Sequence, residues 1–368
     1  MNQLAMRAVP GIRLGLALLI LTLLAAIANA QEAVSPGQTL TLVDRKVVVY
    51  VASGTATLRR AEGRSLTIRA SAEGEDADEL RFFADREGDA ARFRVDFPDV
   101  DRIASPQNGG GTTTLRLRDD GTFGGGDGDR SWWRGERGDE VEIGGTRGLQ
   151  AWAALDIGVP EGVELVVHLA VGRVRVANVT GTVTVDTWAA DAEAEGIAGN
   201  WLFDTGSGDV HVRGATGTLR IDTGSGAGYV DGMRGDLLDI DTGSGEVDAT
   251  DVAVDRFRFD TGSGGVRARN LSAPRGVADT GSGAVFLGYA EGSVIEDLLV
   301  DTGSGSVQLV LPRQVNARLS IDTGSGDVTV NREGAIFERR GDDGTILRFG
   351  EGTNRVRIDT GSGSVTIR

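Results

Sequence analysis

The sequence predicts an all-β chain: a single-stranded parallel β-helix, or β-solenoid, of about 18–22-residue coils behind an irregular N-terminal cap. Three observations predict it. The string DTGSG occurs eight times, with aspartates at Asp204, Asp222, Asp241, Asp260, Asp279, Asp301, Asp322 and Asp359. Runs of alternating apolar and polar residues flank each copy, such as Val210-His211-Val212 after Gly208 and Leu219-Arg220-Ile221 before Asp222. Period-two alternation rich in β-branched residues is the mark of a strand with one buried face. Glycine makes up 56 of the 368 residues and aromatics only 5%, so the core must be built from Val, Ile, Leu and Ala.

Residues 1–30 come first and read as a secretory signal peptide. Arg7 and Arg13 supply a positive start, Leu14 to Ile27 an apolar run too short for a comfortable membrane span, and Ala28-Asn29-Ala30 a cleavage site. Gln31 is the expected mature start. The chain is therefore expected to be exported, to the periplasm or to the cell surface and medium, with no transmembrane segment after cleavage. The absence of Cys excludes a disulfide framework, a thiol nucleophile and lipoprotein processing.

Residues 31–155 follow as an irregular β region. Val47–Val51, Leu66–Ala70 and Ala91–Val95 read as strands, 108–111 and 122–129 as Gly-rich loops, and Trp132-Trp133 as a hydrophobic plug. A solenoid needs its open ends covered, so this region is expected to act as a cap.

Residues 156–368 carry the DTGSG-repeat solenoid. Successive aspartates are spaced by 18, 19, 19, 19, 22, 21 and 37 residues. The last gap is two periods long, which predicts a degenerate coil near Gly341-Asp342. The period also runs backward through Asp186-Thr187-Trp188 to His168, so about eleven coils are expected. In each turn the Asp is expected to accept backbone N–H bonds, Thr and Ser to bond between coils, and the glycines to supply left-handed backbone.

Several motifs invite a chemical reading. D-T-G-S is the local signature of aspartic proteases, which use two such loops to build one carboxylate dyad. Eight copies at coil spacing stack carboxylates along a rod and isolate no dyad. Repeated Asp turns also suggest Ca²⁺, but Ca²⁺ takes six to eight oxygens, so neighbouring coils would have to share it. Asp127 to Ser131 resembles the start of an EF-hand loop, yet Trp132 and Gly138 stand where that loop needs Gly and Glu. His168 and His211 are expected at solvent-facing positions outside any Ser-His-Asp arrangement. The net charge of −16, with Lys46 the lone lysine, argues against nucleic acid as a partner.

One surface feature stands out. The outward residue of the strand after each turn forms a column: His211, Tyr229, Asp248, Arg267, Phe286, Gln308, Thr329 and Thr366. Unlike the turn, this column is not uniform, and its first six members form the candidate binding column.

The segment Asp156-Ile157-Gly158-Val159-Pro160-Glu161-Gly162-Val163, then Gly172-Arg173-Val174-Arg175-Val176, the T-G-S-G-x-V units and the closing Phe349-Gly350-Glu351-Gly352 resemble the bacterial adhesin-type, or toastrack, domain of β-strand repeats. The resemblance covers most of 40–368 and implies an exported or envelope-attached parallel β-helix. The family offers no catalytic residue to carry over. The resulting expectation is a non-enzymatic envelope or cell-surface scaffold with an adhesive role and no cofactor. Its partner is expected to be a protein or polysaccharide of the envelope or surface. The alternatives are a Ca²⁺-dependent repeat module and a polysaccharide-acting β-helix enzyme.

Overall fold

The computed structural model describes residues 22–24, 31–105, 112–118, 123, 139–341 and 344–368. The 108–111 stretch, the 124–129 stretch, the EF-hand-like 127–131 run and Trp132-Trp133 lie outside the described residues, as does the leader apart from 22–24. Thr22–Leu24 runs parallel beside Thr39–Leu42.

The array is a parallel β-solenoid. Glu164–Ala177 pairs with Thr180–Thr205 at a step of 18 residues, and Val210–Thr223 pairs with Gly228–Thr242 at a step of 18, then 19. Gly228–Thr242 pairs with Val247–Thr261 at a step of 19. Such in-register parallel pairing places each residue about 4.8 Å from its counterpart in the next coil. The alternation points Val210, Val212, Ala215, Leu219, Ile221 and Thr223 inward, and all six are buried. The same pattern repeats from coil to coil, so the core is a set of stacked columns. Beside the largest side chains one neighbouring layer is small: Phe257 is followed by Gly276 and Phe259 by Ala278. Phe257 is fully buried and lies where a Cβ on Gly276 would sit, 1.9 Å from its Cε1.

Each coil reverses at two kinds of corner. At one, Asn178, Gly196, Gly214, Gly232, Asp251 and Asn270 all adopt φ between 53° and 76°. That conformation suits Gly, Asn and Asp and excludes β-branched residues. The other corner is DTGSG, and here the expected left-handed glycines are corrected. None of its glycines has positive φ. They are glycines because the coils nearly touch: a Cβ on Gly226 would lie 2.0 Å from the Gly208 carbonyl oxygen, and one on Gly245 would lie 1.9 Å from that of Gly226.

The N-terminal region joins the array directly. Lys46–Arg60 pairs in register with Glu164–Ala177 across 118 residues of sequence, so this strand serves as a first coil. Its outer edge is covered by Ala90–Asp96 on one half and by Trp152–Val159 on the other. Behind these lie the antiparallel strands Leu66–Glu73 and Arg81–Glu87. The strands expected at Val47–Val51, Leu66–Ala70 and Ala91–Val95 are all present.

The far end departs from sequence order. The Asp301 coil, Asp297–Val310, does not lie against the Asp322 coil, Ala317–Val330. The last coil, Asn354–Ile367, is inserted between them: Asp301 pairs with Asp359, and Asp359 with Asp322. The degenerate coil expected near Gly341 is therefore corrected. Ile336–Gly341 and Gly344–Phe349 form an antiparallel hairpin, and Gly344–Phe349 covers the outer edge of Ala317–Thr323. The long final gap in the repeat is the length of this excursion.

Candidate binding face

The face built from the strand before each turn carries the aspartates. In spatial order Asp204, Asp222, Asp241, Asp260, Asp279, Asp301, Asp359 and Asp322 form one in-register ladder. In seven of the eight turns the threonine beside the aspartate accepts a turn N–H, and Thr323 instead donates to the Gly326 carbonyl. Thr261 is buried, accepts the Gly264 N–H at 3.0 Å and donates to the Gly245 carbonyl of the previous coil at 2.9 Å. Thr242 and Thr280 make the same pair of bonds, and Thr205, Thr223, Thr302 and Thr360 also accept the glycine N–H three residues on.

Stacked carboxylates repel one another, and arginine offsets this in part. Arg258 lies 3.1 Å from Asp241, 2.5 Å from Asp260 and 3.5 Å from Asp239, while Arg357 lies 2.7 Å from Asp359. Partial burial, with Asp260 and Asp301 on either side, pushes the Asp279 carboxyl above its ordinary range. The ladder is a continuous row of eight carboxylates, one per coil, and not an isolated pair. Among the described residues no group of three His, Asp or Glu side chains gathers as a metal site.

The strand after each turn presents the other outward face, and the candidate column lies along it. Register runs Glu193, His211, Tyr229, Asp248, Arg267, Phe286, Gln308, Thr366 and Thr329. All eight expected members are neighbours in adjacent coils. The inserted last coil places Thr366 ahead of Thr329. The His211 and Tyr229 rings stack at 4.4 Å between centroids and 10° between planes. Beside them Arg213, Asp231, Asp248 and Thr250 line a shallow open depression of about 300 Å³. Burial, and then the charges of Asp209, Glu246 and Asp248, pushes the Tyr229 phenol up, so it stays a neutral donor at neutral pH. Arg267 bridges to Glu246 at 2.7 Å, and Arg269 to Asp248 at 3.1 Å. The face thus offers flat ring edges beside both charge signs within a few coils.

Both histidines are half-buried: His211 lies in the column, and the His168 side chain is 13% exposed. His168 stacks on Tyr50 at 4.5 Å, with Phe123 edge-on at 6.4 Å, and its Nδ1 lies 2.7 Å from Asp186 Oδ2. Both histidines thus stand at outward strand positions as expected, but His168 is partly covered there by Tyr50 and Phe123. Its coverage comes from Tyr50, far back in sequence, and no local signal could have announced it.

Residues 202–368 match the model of the family described as Toastrack DUF4097 and form a toastrack-type domain. One solved structure, of a candidate cell adhesion protein from Clostridium sporogenes ATCC 15579, aligns over 92% of this chain and 97% of its own at 10% identity and a TM-score of 0.18. No curated protein matches the chain. No helix among the described residues is long and apolar enough to cross a membrane.

Proposed function

We propose that this chain, with its toastrack-type domain at 202–368, is an exported, non-enzymatic scaffold of the cell envelope or surface. It binds a protein or polysaccharide partner through the face centred on His211, Tyr229, Asp248, Arg267, Phe286 and Gln308. One observation carries the reading: the outward residues of this face vary from coil to coil while the stacking positions repeat. Turn residues are constrained by inter-coil distance and inward residues by packing. An outward strand position on a regular array is free of both, so a mixed column of rings and charges there fits recognition. The leader-like start supports export, and the nearly uniform Asp-Thr-Gly-Ser-Gly corner supports a structural part for the carboxylates.

The test is a retention assay. Purified wild type and His211→Ala/Tyr229→Ala are compared for binding to isolated cell walls and to envelope polysaccharides. Wild type is expected to be retained, and the double variant to lose about tenfold or more in affinity, as expected when central aromatic contacts are removed. Equal retention of the two would reject this face. Turnover of a polysaccharide or peptide by the pure protein would reject the non-enzymatic reading. Protease treatment of intact cells tests the address: cleavage supports a surface position, and protection until the outer membrane is disrupted supports the periplasm.

A further inference from the structure

The face that carries the aspartate ladder also carries a basic column, set four residues before the aspartates. In spatial order it reads Arg256, Arg275, Asp297, Arg355 and Arg318, then Arg348 of the terminal hairpin. Five arginines thus stand in six successive layers of a chain whose net charge is −16. Three of them are met within the chain: Arg275 bridges to Glu296 at 2.8 Å, and Arg318 and Arg348 share Glu338. Arg256, Asp297 and Arg355 are different. All three are exposed, and among the described residues their side chains make no hydrogen bond or ion pair.

Between this column and the aspartates runs another outward column, and part of it is apolar. Val277 and Leu299 lie in register there, both half-buried. Leu237, Val277 and Gly276 help to line a depression of about 440 Å³, with Arg256, Arg275 and Asp297 along one side. On its other side Asp239 holds Arg220 at 3.8 Å and Arg258 at 3.5 Å, so those charges are satisfied at home. The groove therefore offers an apolar floor, an unmet guanidinium, and an unmet carboxylate two coils on. A sugar acid matches all three. Its carboxylate suits Arg256, its hydroxyls suit Asp297, and the C–H side of its ring suits Leu237 and Val277. Arg355, one coil beyond Asp297, meets a further carboxylate of the same chain. A peptide fits less well, because this is a sheet face and presents no strand edge to extend. Nucleic acid fits less well, because the ring in the groove, Phe257, is fully buried and the aspartate ladder repels phosphate.

We propose that the groove of Arg256, Leu237, Val277 and Asp297, continued by Arg355, binds a uronate-bearing polysaccharide lying along the rod. The groove belongs to the strand before each turn and the His211–Tyr229 column to the strand after it, so the two sites are independent.

Calorimetric titration of the full chain is the test. The probes are oligomers of galacturonate, glucuronate and mannuronate, the methyl ester of the first, poly-glutamate and single-stranded DNA. The expected result is binding of a free uronate that weakens as salt is raised, with little binding of the ester. Arg256→Glu/Arg355→Glu should lower the affinity about tenfold or more with unchanged melting, since neither side chain is bonded within the fold. Arg234→Glu, at an exposed position outside the groove, and His211→Ala/Tyr229→Ala should both bind as the wild type does. No binding of any uronate, or equal binding by Arg256→Glu/Arg355→Glu, overturns the proposal. So does equal binding of the ester, or tighter binding of poly-glutamate or DNA. Loss in His211→Ala/Tyr229→Ala instead would move the ligand to the other face and overturn it as well.

Discussion

Thr261 shows what one residue of the repeat does. Its hydroxyl is buried, accepts a bond from within its own turn and donates one to the coil before. A buried donor or acceptor left unmet costs about 1–3 kcal/mol. Thr261→Val keeps the shape and strands both the Gly264 N–H and the Gly245 carbonyl, so it should lower stability by about 2–4 kcal/mol on that scale. Thr261→Ser keeps the hydroxyl and loses one methyl, at a cost of about 1 kcal/mol. Chemical denaturation of the two variants checks the order. Equal losses would mean that the methyl contact, and not the hydroxyl, holds the turn. The neighbouring aspartate answers to different physics. Asp279 is held above its ordinary titration range, so folding favours its protonated form. Its ionisation therefore subtracts from stability as pH rises through that raised range.

At the scale of one coil, the two corners use glycine for opposite reasons, and substitution separates them. Gly214 has φ of 68°, and the nearest atom to an added Cβ there is 3.8 Å away. The corner column already holds Asn178, Asp251 and Asn270 in the same conformation. Gly214→Asn should therefore cost under about 1 kcal/mol, since asparagine tolerates left-handed backbone. At Gly226 the backbone is ordinary, but a Cβ would meet the Gly208 carbonyl oxygen at 2.0 Å. Gly226→Ala must push two coils apart and should cost at least about 3 kcal/mol, beyond common overpacking losses. Melting curves of these two variants, one tolerated and one not, check the assignment. A similar loss in both would point to flexibility as the shared cause.

At the scale of the whole molecule, the last coil acts as a wedge. Val356, Ile358, Val365 and Ile367 are fully buried between the Asp301 and Asp322 coils. In a stacked array each layer is stabilised mainly by its neighbours. Deleting 354–368 should therefore loosen the molecule from residue 297 onward while the coils around Asp222 to Asp260 keep their protection. Hydrogen exchange read by segment is the check. Uniform loss along the rod would show that the array folds as one unit, and no loss would show that the Asp301 and Asp322 coils close on each other directly.

The solenoid, its period, the inward residues and the neighbour relations of the outward column from His211 to Gln308 were legible in the sequence. Strand alternation and turn length are local properties: Val210 and Val212 must face one way and His211 the other, wherever the coil comes to lie. The tertiary structure decided which coil lies beside which. Every DTGSG unit offers nearly the same edge, so Asp301 can accept Asp359 as readily as Asp322, and local pattern cannot choose between them. It also decided that Lys46–Arg60 opens the array and that Tyr50 covers His168. Those contacts join residues 118 positions apart, and their energy comes from burying surfaces that no short window of sequence contains.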